Sequence, residues 1–173
     1  MSGDPRGLDL ARLTGYFDEA LPGLRGGPLS AALIAGGKSN LTYRVTDGSQ
    51  AWVVRRPPLG HVLETAHDMS REFAVISALR GTAVPVPDAL AFCADADVLG
   101  APFYVMEFVD GAIYRTAEPL RAIGAGRTAA VTTACVETLA RIHAVDPAAV
   151  GLAEFGRPAG FVERQVRRWG RQL

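Results

Sequence analysis

The chain has 173 residues, 49% of them hydrophobic and 21% charged, which supplies a real core and excludes global disorder. Its 18 basic residues balance 18 acidic ones, so no net field draws it to nucleic acid or to an anionic membrane, and any phosphate site must be local. From the N-terminus, Leu8, Leu13, Phe17 and Leu21 recur at helical spacing, and Pro22-Gly23 and Gly26-Gly27-Pro28 end that helix. Three strands are expected at Leu29–Ala35, Leu41–Thr46 and Ala51–Arg55, with an Asp47-Gly48 hairpin turn between the second and third and Pro57-Pro58 stopping the third.

A helix follows from Asp68 to Leu79, its apolar side marked by Met69, Phe73, Ile76 and Leu79, with Gly81 at its end. Val84-Pro85-Val86-Pro87 reads as an extended connector. Two more strands, Ala89–Ala94 and Phe103–Val109, flank a loop at Asp95-Ala96-Asp97 and Gly100-Ala101-Pro102. After Gly111 the pattern turns helical, at Arg127–Val145 and from Phe161 onward. A strand-rich block followed by a helical block divides the chain into residues 1–109 and 110–173. No run is apolar enough to span a membrane, and no N-terminal signal segment is apparent. Cys93 and Cys135 lie in no metal or redox spacing and read as buried, reduced thiols of a cytoplasmic protein.

Four places carry candidate chemistry. Gly36-Gly37-Lys38-Ser39-Asn40 sits between two strands, where glycine lets backbone N–H groups approach a phosphate and Ser39 and Asn40 add donors; taken alone it reads as an ordinary hairpin turn, and it lacks the Walker spacing. Arg55 ends a strand on which Val53 and Arg55 share one face, so its charge can reach phosphates beneath the sheet; the alternative is a solvated edge residue, the reading that suits Arg56. Glu72, early in the following helix, is placed to pair with Arg55, or is a surface charge. The strand ending in Met106-Glu107-Phe108-Val109-Asp110-Gly111 can offer backbone groups to a purine edge, and is a buried central strand in either case. The order of these pieces is the order in which protein kinases arrange a glycine loop, a basic third strand, an acidic helix and a hinge after the fifth strand.

With Trp52-Val53-Val54-Arg55-Arg56-Pro57-Pro58-Leu59-Gly60, Ala66-His67-Asp68-Met69-Ser70-Arg71-Glu72 and Gly100-Ala101-Pro102-Phe103-Tyr104-Val105-Met106-Glu107, the chain resembles the aminoglycoside phosphotransferase family, nearest the branch also found attached to acyl-CoA dehydrogenases. The resemblance runs from about Leu29 to the end. It implies an α+β protein-kinase-like small lobe, with a five-stranded antiparallel sheet and one packed helix, continuing into an incomplete helical lobe. It implies a nucleotide loop at Gly36, Gly37, Lys38, Ser39, Asn40 and Thr42, a phosphate-binding Arg55 where the family usually has lysine, and Glu72 as its partner. Met106 would back the adenine pocket, with the Glu107 carbonyl and the Val109 N–H meeting adenine. The intact protein would use ATP and Mg to phosphorylate a hydroxyl on a small molecule of unknown identity.

The family's H-G-D-x-x-x-x-N catalytic loop and the later metal-holding aspartate are absent from these 173 residues, so no catalytic or metal residue is assigned, and the chain alone is expected to be inactive. Of the three histidines, His143 is expected to be a packing residue. Ending inside an amphipathic helix, the chain reads as truncated, with exposed helix faces that favour self-association. Two rival readings are a nucleotide-binding or regulatory module that does not catalyse, and a purely structural α+β domain.

Overall fold

The structure, a computed structural model, describes residues 4–34, 40–60, 68–156 and 159–171. The elements in chain order are α1 (Leu10–Ala20), β1 (Ser30–Leu33), β2 (Leu41–Thr46), β3 (Ala51–Arg56), α2 (Met69–Leu79), β4 (Ala89–Cys93), α3 (Ala96–Leu99), β5 (Phe103–Glu107), α4 (Ala117–Ala122), α5 (Ala125–His143) and α6 (Phe161–Gly170). The five strands form one antiparallel sheet in the order β1-β2-β3-β5-β4.

Strand alternation sends side chains to two different helices. Tyr43, Val54 and Val105 are register partners, as are Val45 and Trp52, and all five are buried with Leu13 and Phe17 of α1. Both α1 residues are 0% exposed, and Phe17 meets Trp52 edge-to-face at 5.3 Å. Burying such a ring stabilises by roughly 1.5–3 kcal/mol. The opposite face carries Thr42, Arg55 and Tyr104 in register, and Val53 opposite Met106. There α2 packs, through Phe73 at 5.8 Å from Phe92 and 6.0 Å from Tyr104. Asp68 caps α2 by accepting from the Ser70 and Arg71 N–H groups.

Several expectations change. The Asp95–Asp97 loop is the start of a one-turn helix, α3, capped by the Asp95 carboxylate and closed by Gly100 at φ 81°. An aspartate two residues before a bonded N–H and a glycine in the left-handed region are both helix-end signals. The fifth strand stops at Glu107, short of Val109. α4 was not anticipated, and α5 starts at Ala125 rather than Arg127. Cys93 is buried as expected, but Cys135 is exposed on α5. His143, at the end of α5, is exposed rather than packed.

Arg56 is the largest departure. It is only 4% exposed, and its Nη1 donates to the carbonyls of Gly7 and Leu99, each at 2.6 Å. Its Nε donates to the Pro57 carbonyl at 3.2 Å. The reason is alternation: Arg56 shares the Trp52–Val54 face, beneath the segment that leads into α1. Burial pulls its guanidinium below the ordinary value, with the nearby Tyr43 acting the other way, and an arginine remains charged regardless.

Candidate functional site

The site lies on the α2 face of the sheet. β3 delivers Arg55 because residues 53 and 55 point the same way, and α2 delivers Glu72 from its first turn. The expected pair is formed: Arg55 Nε donates to Glu72 Oε2 at 2.7 Å, with both side chains about two-thirds buried (29% and 33% exposed). Three further donors fix it. Asn40 Nδ2 donates to Glu72 Oε1 at 2.8 Å, Tyr104 OH donates to Glu72 Oε2 at 3.1 Å, and Arg55 Nη1 donates to Thr42 Oγ1 at 2.9 Å.

Glu72 therefore accepts three hydrogen bonds and acts as an orienting anchor. Arg55 uses Nε and Nη1 on protein partners and leaves Nη2 with no partner among the described residues. Burial opposes the Arg55 charge, while the hydrogen bond and charge of Glu72 more than offset it, so the guanidinium stands above its ordinary value. Burial first, and the Glu72 carboxylate second, push Tyr104 well above the usual phenol range, so its hydroxyl keeps its proton and remains a donor. A lysine at position 55 has one nitrogen and could not hold Glu72 and Thr42 in this fork-like manner.

Beside the pair lies an open cavity of about 530 Å³, lined by Arg55, Tyr104 and Met106 of the sheet, by Arg71, Glu72, Val75 and Ile76 of α2, and by Phe155. Met106 is half-buried on this wall. Glu107 ends the strand: its N–H donates to the Asp88 carbonyl at 2.8 Å, and its side chain accepts from the Asp88 N–H at 3.1 Å. The side chain thereby ties the end of β5 to the start of β4. Val109 lies beyond the strand, 63% exposed, with no backbone bond from its N–H among the described residues.

Of the residues singled out from sequence, the structure brings together Asn40, Thr42, Arg55, Glu72 and Met106. Gly36, Gly37, Lys38 and Ser39 lie outside the described residues. The Asn40 amide, expected to add a donor to a phosphate, donates to Glu72. Tyr104 was named only as part of a strand, although its spacing of two from Met106 already put it on the same face. Arg71 and Phe155 had no signal in the sequence, being 84 residues apart. Among the described residues, no three His, Cys, Asp or Glu side chains converge as a metal site.

A five-stranded antiparallel sheet with a basic third strand paired to a glutamate on the next helix is the frame of a kinase-like phosphotransferase. The model of the phosphotransferase enzyme family, APH, matches residues 30–173, and the chain belongs to that family. It is 40% identical over 168 residues to acyl-CoA dehydrogenase family member 11 of Gallus gallus, covering 95% of this chain and 21% of that protein. It is 37% identical to acyl-CoA dehydrogenase family member 10 of Mus musculus, covering 90% of this chain and 15% of that one. A solved structure from Ralstonia eutropha, assigned to the aminoglycoside phosphotransferases, superimposes with a TM-score of 0.75 at 32% identity, covering 95% of this chain and 46% of that one. The chain thus spans about a fifth of the length of the family member 11 relative, and under half of the solved chain.

Proposed function

We propose that this chain is the ATP-binding half of a phosphotransferase that moves the γ-phosphoryl group of ATP to a hydroxyl on a small molecule. The observation that supports it most is the Arg55–Glu72 pair, clamped by Asn40, Thr42 and Tyr104, with Nη2 of Arg55 unpaired among the described residues. A fixed cation that keeps one free donor edge suits a phosphate oxygen. In this reading Gly36, Gly37, Lys38 and Ser39 form the loop over the phosphates, Met106 backs the adenine, and the Glu107 carbonyl and the open Val109 N–H meet its edge. Mg would accompany the nucleotide, but no ligand for it is assigned here and no step is derived through it. The dehydrogenase in the names of the relatives belongs to far longer chains and is not carried to this one.

The test is a titration of the chain with millimolar ATP, read by NMR. Shifts at Asn40, Thr42, Arg55 and Met106–Val109, weakened several-fold by Val109→Pro, are expected, since a lost hydrogen bond costs roughly 0.5–1.5 kcal/mol. A folded chain with none of these shifts sinks the reading. The chain by itself is proposed to transfer no phosphoryl group, because H-G-D-x-x-x-x-N is absent from it; turnover of ATP that Arg55→Ala abolishes would overturn that. A longer protein that binds ATP without turnover would instead be a regulatory module.

A cytoplasmic location and self-association through α5 and α6 belong to the same proposal. The first is supported by the two free cysteines. The second is supported by exposed Val136, Leu139, Phe161 and Trp169. Sedimentation giving a monomer at high concentration would remove the second. Among the described residues, no helix is long and apolar enough to cross a membrane.

A further inference from the structure

The residue before Glu72, Arg71, lines the same cavity and, among the described residues, makes the one side-chain hydrogen bond from α2 to the helical half. Arg71 Nη2 donates to the Phe155 carbonyl at 2.8 Å, and the Arg71 guanidinium carbon stands 3.8 Å from the centroid of the Phe155 ring. Two bonds of different kind to one residue define both the distance and the orientation of the contact. Phe155 is half-buried although its neighbours Glu154 and Gly156 are exposed.

Phe155, together with Val75 of α2, lines two cavities. One is the 530 Å³ cavity that contains Arg55 and Glu72. The other, of about 620 Å³, is lined by Val75 of α2 on one side and by Phe161 and Gln165 of α6 on the other. The ring therefore stands between α6 and the ion pair, and α2 borders both spaces.

We propose that Arg71 and Phe155 are positioning residues for the Arg55–Glu72 pair. The Phe155 ring clamps the first turn of α2 from below while Arg55, Asn40 and Tyr104 hold Glu72 from above. A helix turn gripped on two faces has one allowed rotation, and adjacent residues on it cannot move independently. Glu72 keeps its geometry only while Arg71 keeps its seat on Phe155. What happens on the α6 side is thereby transmitted to the guanidinium: repacking around Phe161 that displaces the Phe155 ring releases Arg71, lets α2 turn, and lengthens the Arg55–Glu72 bond.

Only the consequence for nucleotide rests on the function proposed above; the coupling itself is read with no nucleotide present. The experiment is the hydrogen-exchange rate of the Arg55 Nε–H, followed by NMR in the full 173-residue chain. Phe155→Ala should speed that exchange about tenfold, the size expected from losing one exposed cation–π contact together with the hydrogen bond it orients. Arg71→Gln should do the same without altering Phe155, and Phe155→Trp should restore the wild-type rate, because indole is the better partner for a cation. Unchanged Arg55 exchange in both Phe155→Ala and Arg71→Gln overturns the proposal. So does an increase matched by the backbone amides of β3 and β5, which would mean general loosening. If ATP fails to bind the wild-type chain, the function falls while this coupling can still be measured; if the coupling fails, ATP binding is still tested by its own titration.

Discussion

The sheet region and the helical region are built on opposite terms. From α1 to β5 the chain buries Leu13, Phe17, Tyr43, Val54, Phe103 and Val105 in one cluster, and each of these is 0% exposed. From α4 to α6 no residue among those described is buried, and Phe161, Val162, Val166 and Trp169 lie in water on a single ten-residue helix. Periodicity of apolar residues is equally clear in both regions. Amphipathicity therefore tells that a face wants a partner, and only the structure tells whether it has one.

The comparison is tested most severely by paired truncations. Phe17→Ala should cost about 3–5 kcal/mol in urea unfolding, as large-to-small changes in a tight core do. A loss below about 1 kcal/mol would mean that α1 is not part of the core, since even mild core deletions reach that size. The next largest effect lies at the seam. Glu72→Ala removes an acceptor from the buried Asn40 and Tyr104 and the half-buried Arg55 at once, and should cost about 1–3 kcal/mol, the penalty for taking away a buried hydrogen-bond partner. Glu72→Gln should recover part of it, and equal stability for all three proteins would show that the cluster contributes nothing to folding.

A smaller effect is set by pH. The N–H groups of Gly26, Gln50 and Ser49 all donate to the Asp47 carboxylate and hold it below the usual carboxylate range. Because the folded value is the lower one, this stabilisation is complete above the unfolded value of about 4 and disappears as pH falls through the folded value. Acid unfolding of Asp47→Asn should therefore show a shallower dependence between about pH 4 and pH 2 than the parent. An unchanged slope would remove Asp47 from the account of acid stability. Smallest of all, Leu139→Ala on exposed α5 should shift stability by no more than about 0.5 kcal/mol. A larger loss would place a hidden partner, a second chain included, over that face and erase the contrast between the two regions.

Much of this was legible beforehand. Five strands, the Asp47-Gly48 turn and the capped α2 follow from alternation, turn chemistry and an aspartate before an apolar run. The Arg55–Glu72 pair followed from two positions whose elements had to meet. What escaped has a common cause. The fate of Arg56 depends on which face of a strand end is roofed by a segment 49 residues earlier, and the Arg71–Phe155 contact on a chain path 84 residues long. Local patterns carry no information at such separations. Tyr104 escaped for a different reason, because a hydroxyl in an apolar strand reads as core until its register opposite Arg55 is known.

The arrangement around Arg56 bears on where this unit should be cut. The family match begins at residue 30, which would make α1 and everything before it look dispensable. Physically it is a wall of the building. Leu8 is buried, the Tyr43 hydroxyl donates to the carbonyl of Arg6, and Arg56 reaches that of Gly7. Trimming to the family boundary would strip the roof from Trp52 and Phe103 and leave a buried cation short of an acceptor. The edge of the family match and the edge of the packed unit therefore differ: the packing begins near Pro5, and the relatives matched over 95% of the chain share that stretch too.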